Sequence, residues 1–254
     1  MNLLISLRSE MLKTRRTATF YLTLIAAALI PFIFIMDVLV DGVSADNRKD
    51  PFNSIFAEGS MMLGVLVYPM FIVLMCTMLA QIEYRNNAWK QVFASPQPMQ
   101  NIFIARFLNV QLLILLFLVL YNVFILITCV VIQFADPALN ILNQPLDVSK
   151  VITKTANMYV AVLALSTIQF WVGLRFKNFI VPIAIGFALW LTGTLMAFEF
   201  KSAYAHYFPY SFLPVTLLPA KAKLIPTVQL NSVGYMVAVL VLGFLDFRRR
   251  KKMN

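Results

Sequence analysis

Six stretches of this chain, 17–36, 59–82, 107–133, 156–174, 179–198 and 228–245, contain no Asp, Glu, Lys, Arg or His. Together they hold 128 of the 254 residues, so all 32 charged residues crowd into the other half. Each stretch runs for 18 to 27 residues, and about 20 apolar residues cross a hydrocarbon layer of roughly 30 Å as a helix rising 1.5 Å per residue. A lipid-facing barrel would need short strands alternating in polarity, and these runs are unbroken. The expected fold is therefore all-α and polytopic, one six-helix membrane domain over 1–254. Its spans are expected at about 18–40, 59–82, 104–134, 156–174, 179–198 and 228–247. The overall charged fraction of 13% is an average over two unlike halves.

Orientation follows from the basic residues. With a cytoplasmic N-terminus, the inner segments carry 14 of the 21 Lys and Arg residues and only Glu10, Glu83 and Asp246 as acids. The inner side then holds +11 and the outer side −1. The positive-inside rule accordingly places both termini in the cytoplasm. The same distribution argues against a nucleic-acid partner, because the net charge of +10 is divided among segments that only a membrane gathers on one side. An N-terminal signal peptide does not fit either, since the apolar run from Ala18 to Val40 exceeds the usual h-region of about 7–15 residues. Cys76 and Cys129 fall within apolar spans and read as packing residues, with neither the count nor the spacing of a disulfide framework or zinc site.

Ahead of the first span, residues 3–16 place Leu3, Leu4, Leu7 and Met11 on one helical face, with Arg8, Lys13, Arg15 and Arg16 mostly elsewhere. This is the pattern of an amphipathic helix lying in the membrane interface, its leucines among the lipids and its cations at anionic headgroups. The segment 83–98, Glu-Tyr-Arg-Asn-Asn-Ala-Trp-Lys-Gln-Val-Phe-Ala-Ser-Pro-Gln-Pro, joins the second and third spans on the inner side. Asn86 or Asn87 can cap a short helix that Ser95-Pro96 ends, and Trp89, Val92 and Phe93 then share a face. Such a face suits a groove on a partner protein or an anchor at the bilayer surface. The outer segment 199–227 mixes four prolines with many aromatic and aliphatic residues, too apolar for open water, and is expected to lie at or dip into the outer interface.

The ending of the second span at Glu83, the aromatic loop helix closed by proline, Arg106 opening a long third span and the opening Glu10-Met-Leu-Lys-Thr-Arg-Arg16 resemble the ABC type-2 permease family. The likeness is strongest to its bacterial branch linked to lantibiotic protection. The resemblance implies a permease subunit of a bacterial plasma-membrane exporter that works with a separate ABC ATPase and pairs with a second permease chain as a homodimer or heterodimer. It implies that Glu83, Trp89 and Phe93, closed by Pro96 and Pro98, couple to that ATPase, and that the N-terminal surface helix, with Leu4, Leu7, Met11, Arg15 and Arg16, touches it. It also implies re-entrant helices in 199–227. ATP and magnesium would then be bound by the partner, with no cofactor on this chain.

The spans themselves speak to energetics. Ion-coupled carriers place Asp, Glu, His or Lys near the midplane, and none of these stands in the six stretches. Nor is there a G-x-x-x-x-G-K-[ST] phosphate loop, so energy for active transport must come from a partner. The polar residues within the spans, Asn109, Gln111, Asn122, Asn157, Gln169 and Asn231, read mainly as hydrogen-bonding ties between helices. Asn122 and Gln169 are also candidates for a substrate path, whose mostly apolar lining would suit an amphipathic or lipid-like molecule such as an antimicrobial peptide. The alternative functions are a non-transporting membrane scaffold or sensor and, more remotely, an intramembrane enzyme. The latter finds only His206, in the outer loop, without a cysteine near it.

Overall fold

The computed structural model describes residues 3–42, 50–85 and 97–251, apart from the side chains of residues 41, 250 and 251. Its regular elements are helical, with no strand among the described residues. Helix α1 (Leu3–Thr14) is followed by α2 (Ala18–Asp41). Helix α3 (Pro51–Met62), a π-helical turn (Leu63–Val67) and α4 (Tyr68–Arg85) run on as one rod. Next come the 37-residue α5 (Met99–Ala135), the pair α6 (Val148–Ala161) and α7 (Leu163–Arg175), and α8 (Ile180–Phe198). The short α9 (Phe212–Leu217) precedes the last long helix, α10 (Ile225–Lys251). Six of these helical runs are long and apolar enough to cross a membrane.

Two spanning helices begin eight residues, about two turns, earlier than hydropathy alone implies. The second starts at Pro51 rather than near 59, because the Asp50 carboxylate accepts from the Asn53 amide at 3.4 Å and Pro51 occupies the first turn, where its missing N–H costs nothing. The fourth starts at Val148 rather than near 156, with Asp147 accepting from the Lys150 amide at 3.0 Å. Hydropathy marks the part of a helix that meets lipid, whereas a cap marks where the backbone winding begins.

At the centre stand α4, α5 and α7. Helices α1 and α2 pack along α5, α7 and α8 flank α4, and α10 packs on α7. Tyr68 and Phe71 stack on Phe117 with ring centroids 5.3 and 4.3 Å apart. The outer faces stay apolar, with Phe32, Val119, Phe134 and Val241 all exposed. Since lipid is as apolar as leucine, what holds such a bundle together is close packing and interhelical hydrogen bonding rather than burial from water.

One end of the bundle gathers α1, the last turns of α4, α7 and α10, and the first turns of α5 and α8. Tyr84 donates to the Leu174 carbonyl at 2.6 Å, Gln81 donates to the Lys177 carbonyl at 3.0 Å, and Arg175 pairs with Asp246 at 2.5 Å. This basic end carries the candidate site.

Candidate functional site

Helix α1 presents an inverted face to the protein. Ser6, Glu10 and Thr14, four residues apart, share one side; Ser6 and Thr14 are buried, whereas Leu4 is 75% exposed and Met11 and Leu12 also point outward. The expected interfacial leucines therefore face away from the bundle, Leu7 being half-buried, and the protein-facing stripe is the polar one. Arg15 and Arg16 are exposed just beyond the helix, which ends at Thr14 rather than 16. The exposed apolar flank and the polar stripe turned to the protein give α1 a single rolled orientation.

What meets the polar stripe is a four-residue ionic cluster. Glu83, on the last turn of α4, accepts from Arg106 Nη2 at 2.8 Å and from Lys13 Nζ at 3.1 Å, while Lys13 also donates to Glu10 at 2.9 Å. Arg106 Nε lies 3.7 Å from Glu10. Glu83 and Arg106 are only 5% and 6% exposed. Glu83 and Arg106 thus neutralise one another where each alone would be costly to bury, with the half-buried Glu10 and the exposed Lys13 completing the cluster at its rim. Asn109, one turn along α5 from Arg106, donates to the Thr14 hydroxyl at 2.8 Å, and that hydroxyl donates to the Glu10 carbonyl at 2.9 Å. Beside the cluster, and reaching Cys76 and Phe170, is a cavity of about 30 Å³, enough for a water molecule or two.

Glu83 was expected to belong to an ATPase-coupling element; the structure turns its carboxylate into the protein, onto Arg106 and Lys13. Trp89, Phe93 and Pro96, expected in the same element, lie outside the described residues. The roots of that loop are described, and α1 holds both: Lys13 bonds Glu83 at one root, and Ser6 Oγ donates to Gln97 Oε1 at 2.9 Å at the other. Sequence reasoning identified Glu83 but missed Ser6, Lys13 and Thr14 as its companions. The available signal was the scarcity of acids at a strongly basic end. Each of its three carboxylates, Glu10, Glu83 and Asp246, is paired with a cation.

The two path candidates sit apart. Asn122 donates to the Leu118 carbonyl at 2.8 Å and to Thr155 at 3.3 Å, tying α5 to α6. Gln169, fully buried on α7, donates to the Pro182 carbonyl on α8 at 2.8 Å and accepts from the Tyr210 hydroxyl at 3.1 Å. Tyr210 belongs to the segment 199–227, so this contact draws that segment well inside the bundle. Phe212, Leu213, Val215 and Leu217 are likewise buried. Two glycines of α8, seven residues and so about 10 Å apart on one face, make the room. A Cβ on Gly193 would stand 2.5 Å from the Tyr210 carbonyl carbon, and one on Gly186 would stand 2.9 Å from Gln169 Oε1.

The inserted α9 packs beside two irregularities in the spanning helices. The π turn at Leu63–Val67 leaves the Val65 carbonyl to accept from the Trp190 indole at 2.9 Å. At Val162, between α6 and α7, the buried Ser232 hydroxyl of α10 donates to the Val160 carbonyl at 2.7 Å and accepts from the Ala164 amide at 3.1 Å. In both places a side chain from another helix satisfies backbone groups that the helical ladder does not.

A family profile described as ABC-2 family transporter protein matches residues 6–193, from α1 through most of α8. No curated protein matches the chain. The matched region contains every member of the ionic cluster, both roots of the 86–96 loop and five of the six spanning runs, and the chain belongs to the ABC-2 family of transporter proteins.

Proposed function

We propose that this permease is the membrane half-unit of an ATP-driven exporter and that energy enters it through the loop between α4 and α5, on the cytoplasmic side. The observation that carries the reading is the grip of α1 on both roots of that loop through Lys13–Glu83 and Ser6–Gln97. A push on the loop by an ATPase reaches α1, α4 and α5 together, because the buried Glu83–Arg106 pair joins α4 to α5 while Lys13 and Ser6 tie α1 to both roots. ATP and magnesium belong to the ATPase subunit, and a second permease chain, identical or different, completes the pathway. The apolar walls favour an amphipathic or hydrophobic substrate moved outward, an antimicrobial peptide in the lantibiotic-protection manner being the class in view. The assembly is assigned to a bacterial plasma membrane with both termini inside.

On this reading, Gln169 stands on the path in its resting state, bonded to Tyr210, and substrate passage requires that bond to open. Trp89 and Phe93 form the face that the ATPase engages, and Pro96 ends it. The test is reconstitution with the ATPase that co-purifies from native membranes. Trp89→Ala with Phe93→Ala is expected to abolish stimulation of ATP hydrolysis while the chain still inserts and α1 remains docked. Purification that yields no nucleotide-binding partner, or stimulation that survives the double substitution, overturns the coupling assignment in favour of a scaffold or sensor.

A further inference from the structure

On the opposite flank of α4 from the ionic cluster, a groove of about 690 Å³ lies between the start of α2, the end of α4 and the start of α8. That volume falls within the range of about 300–1,000 Å³ that holds small ligands. Met78, Ile82 and Phe179 form its apolar wall, and Thr17, Gln81 and Arg85 its polar rim. The two chemistries are separated along α4. Met78 lies about two turns deeper in the bundle than Arg85, which is exposed at the helix end.

The charge here has one sign. Arg85 makes no ion pair among the described residues, and no described carboxylate lines the groove. Glu83, two positions away, is committed to Arg106 and Lys13 on the far side of α4. Arg15 and Arg16 directly precede Thr17 and are exposed, and the exposed Lys177 supplies the carbonyl that Gln81 holds. The first residues of α2 line the same groove, and Thr17 spends its hydroxyl on the Thr14 carbonyl instead of capping that helix. A cationic rim over an apolar wall, set between membrane-spanning helices at their basic end, is complementary to an anionic headgroup with its acyl chains attached.

We propose that the groove binds an anionic phospholipid, its phosphate on Arg85 and the upper part of an acyl chain against Met78, Ile82 and Phe179. The site bears on the permease independently of any transport activity, so it is tested on the purified full-length chain without an ATPase. Native mass spectrometry in an uncharged detergent measures retention of phosphatidylglycerol, with phosphatidylcholine as the neutral lipid and glycerol 3-phosphate as the free phosphate. The expected result is one phosphatidylglycerol held per chain in preference to phosphatidylcholine. Arg85→Gln is expected to weaken that binding about fivefold. Ala18→Trp, which fills the groove without removing charge, is expected to abolish it, and Arg249→Gln, at a basic residue that does not line the groove, to leave it unchanged. Equal binding of phosphatidylcholine, an unaltered affinity in Arg85→Gln, or competition by glycerol 3-phosphate as effective as the lipid's own binding overturns the proposal. Disulfide capture between two copies carrying Met78→Cys at saturating lipid also overturns it, since a second chain would then occupy the groove.

Discussion

Arg106 donates to Glu83 at 2.8 Å across the interface of α5 and α4, with both side chains almost wholly withdrawn from solvent. The pair lies at the edge of the spans, where hydropathy sees the end of an apolar run and the structure shows continuous packed helix. Neither residue is free to serve as a surface charge. Removing one partner of a buried pair leaves the other uncompensated and costs about 3–5 kcal/mol, whereas replacing both with apolar groups of similar size can be close to neutral. Glu83→Gln is therefore expected to lower stability in detergent by about 3 kcal/mol, and Glu83→Gln with Arg106→Met to lose far less than the sum of the two single changes. Thermal unfolding of the four proteins measures this coupling, and additive losses would show that the pair is screened.

Gly193 and Gly234 are both helical glycines with opposite surroundings. A Cβ at Gly193 meets the backbone of Tyr210 and Ser211 at 2.5–2.8 Å, while one at Gly234 meets nothing within 4 Å. Gly193→Ala is expected to expel the inserted segment, seen as new protease or thiol-reagent access to residues 208–218. Gly234→Ala should be neutral or stabilising by up to about 1 kcal/mol, through the better helix propensity of alanine. Equal behaviour of the two variants would sink the insertion of α9 as a close-packed feature.

Ser232 closes the break at Val162 by serving a carbonyl and an amide at once. Ser232→Ala leaves both without that partner in a buried place, and an unsatisfied buried backbone group costs about 1–3 kcal/mol. A fall in unfolding temperature is expected, with Ser232→Thr retaining most of the stability if the extra methyl is accommodated. A wild-type melting curve for Ser232→Ala would mean that the break is satisfied in another way.

The proposed orientation has a direct check. Both native cysteines are buried, Cys76 at 1% and Cys129 at 0% exposure, so background labelling by a membrane-impermeant thiol reagent is expected to be low. In intact cells Asn47→Cys should react from outside, and Lys252→Cys should react only after the membrane is opened. The reverse pattern would invert the assigned topology.

Tyr210 and Gln169 mark a boundary of what could be read ahead of the structure. The surplus of proline and aromatic residues in 199–227 already calls for an apolar setting, because such a loop is poorly suited to open water. How far it enters depends on Gly193 and Gly186 of a different helix, and nothing within 199–227 encodes their positions. Likewise the spacing of Ser6, Glu10 and Thr14 is visible in the chain, yet the leucines between them dominate any reading that assumes water on one side of α1 and lipid on the other.

The sequence by itself determined that this chain is a helical membrane protein with six spans. Runs of about 20 residues without a charge admit hardly any other way of satisfying the backbone in hydrocarbon. It also determined that six apolar runs contain no Asp, Glu, Lys, Arg or His. Tertiary structure alone decided which end charges find one another, which face of α1 turns inward, and where the helical ladder is altered, by the π turn within the second rod and at Val162. Those outcomes depend on side chains from helices distant in sequence, such as Glu83 with Arg106 and Ser232 with Ala164. Insertion into lipid is a local property of each segment, while hydrogen-bond satisfaction between packed helices is a property of the assembled bundle.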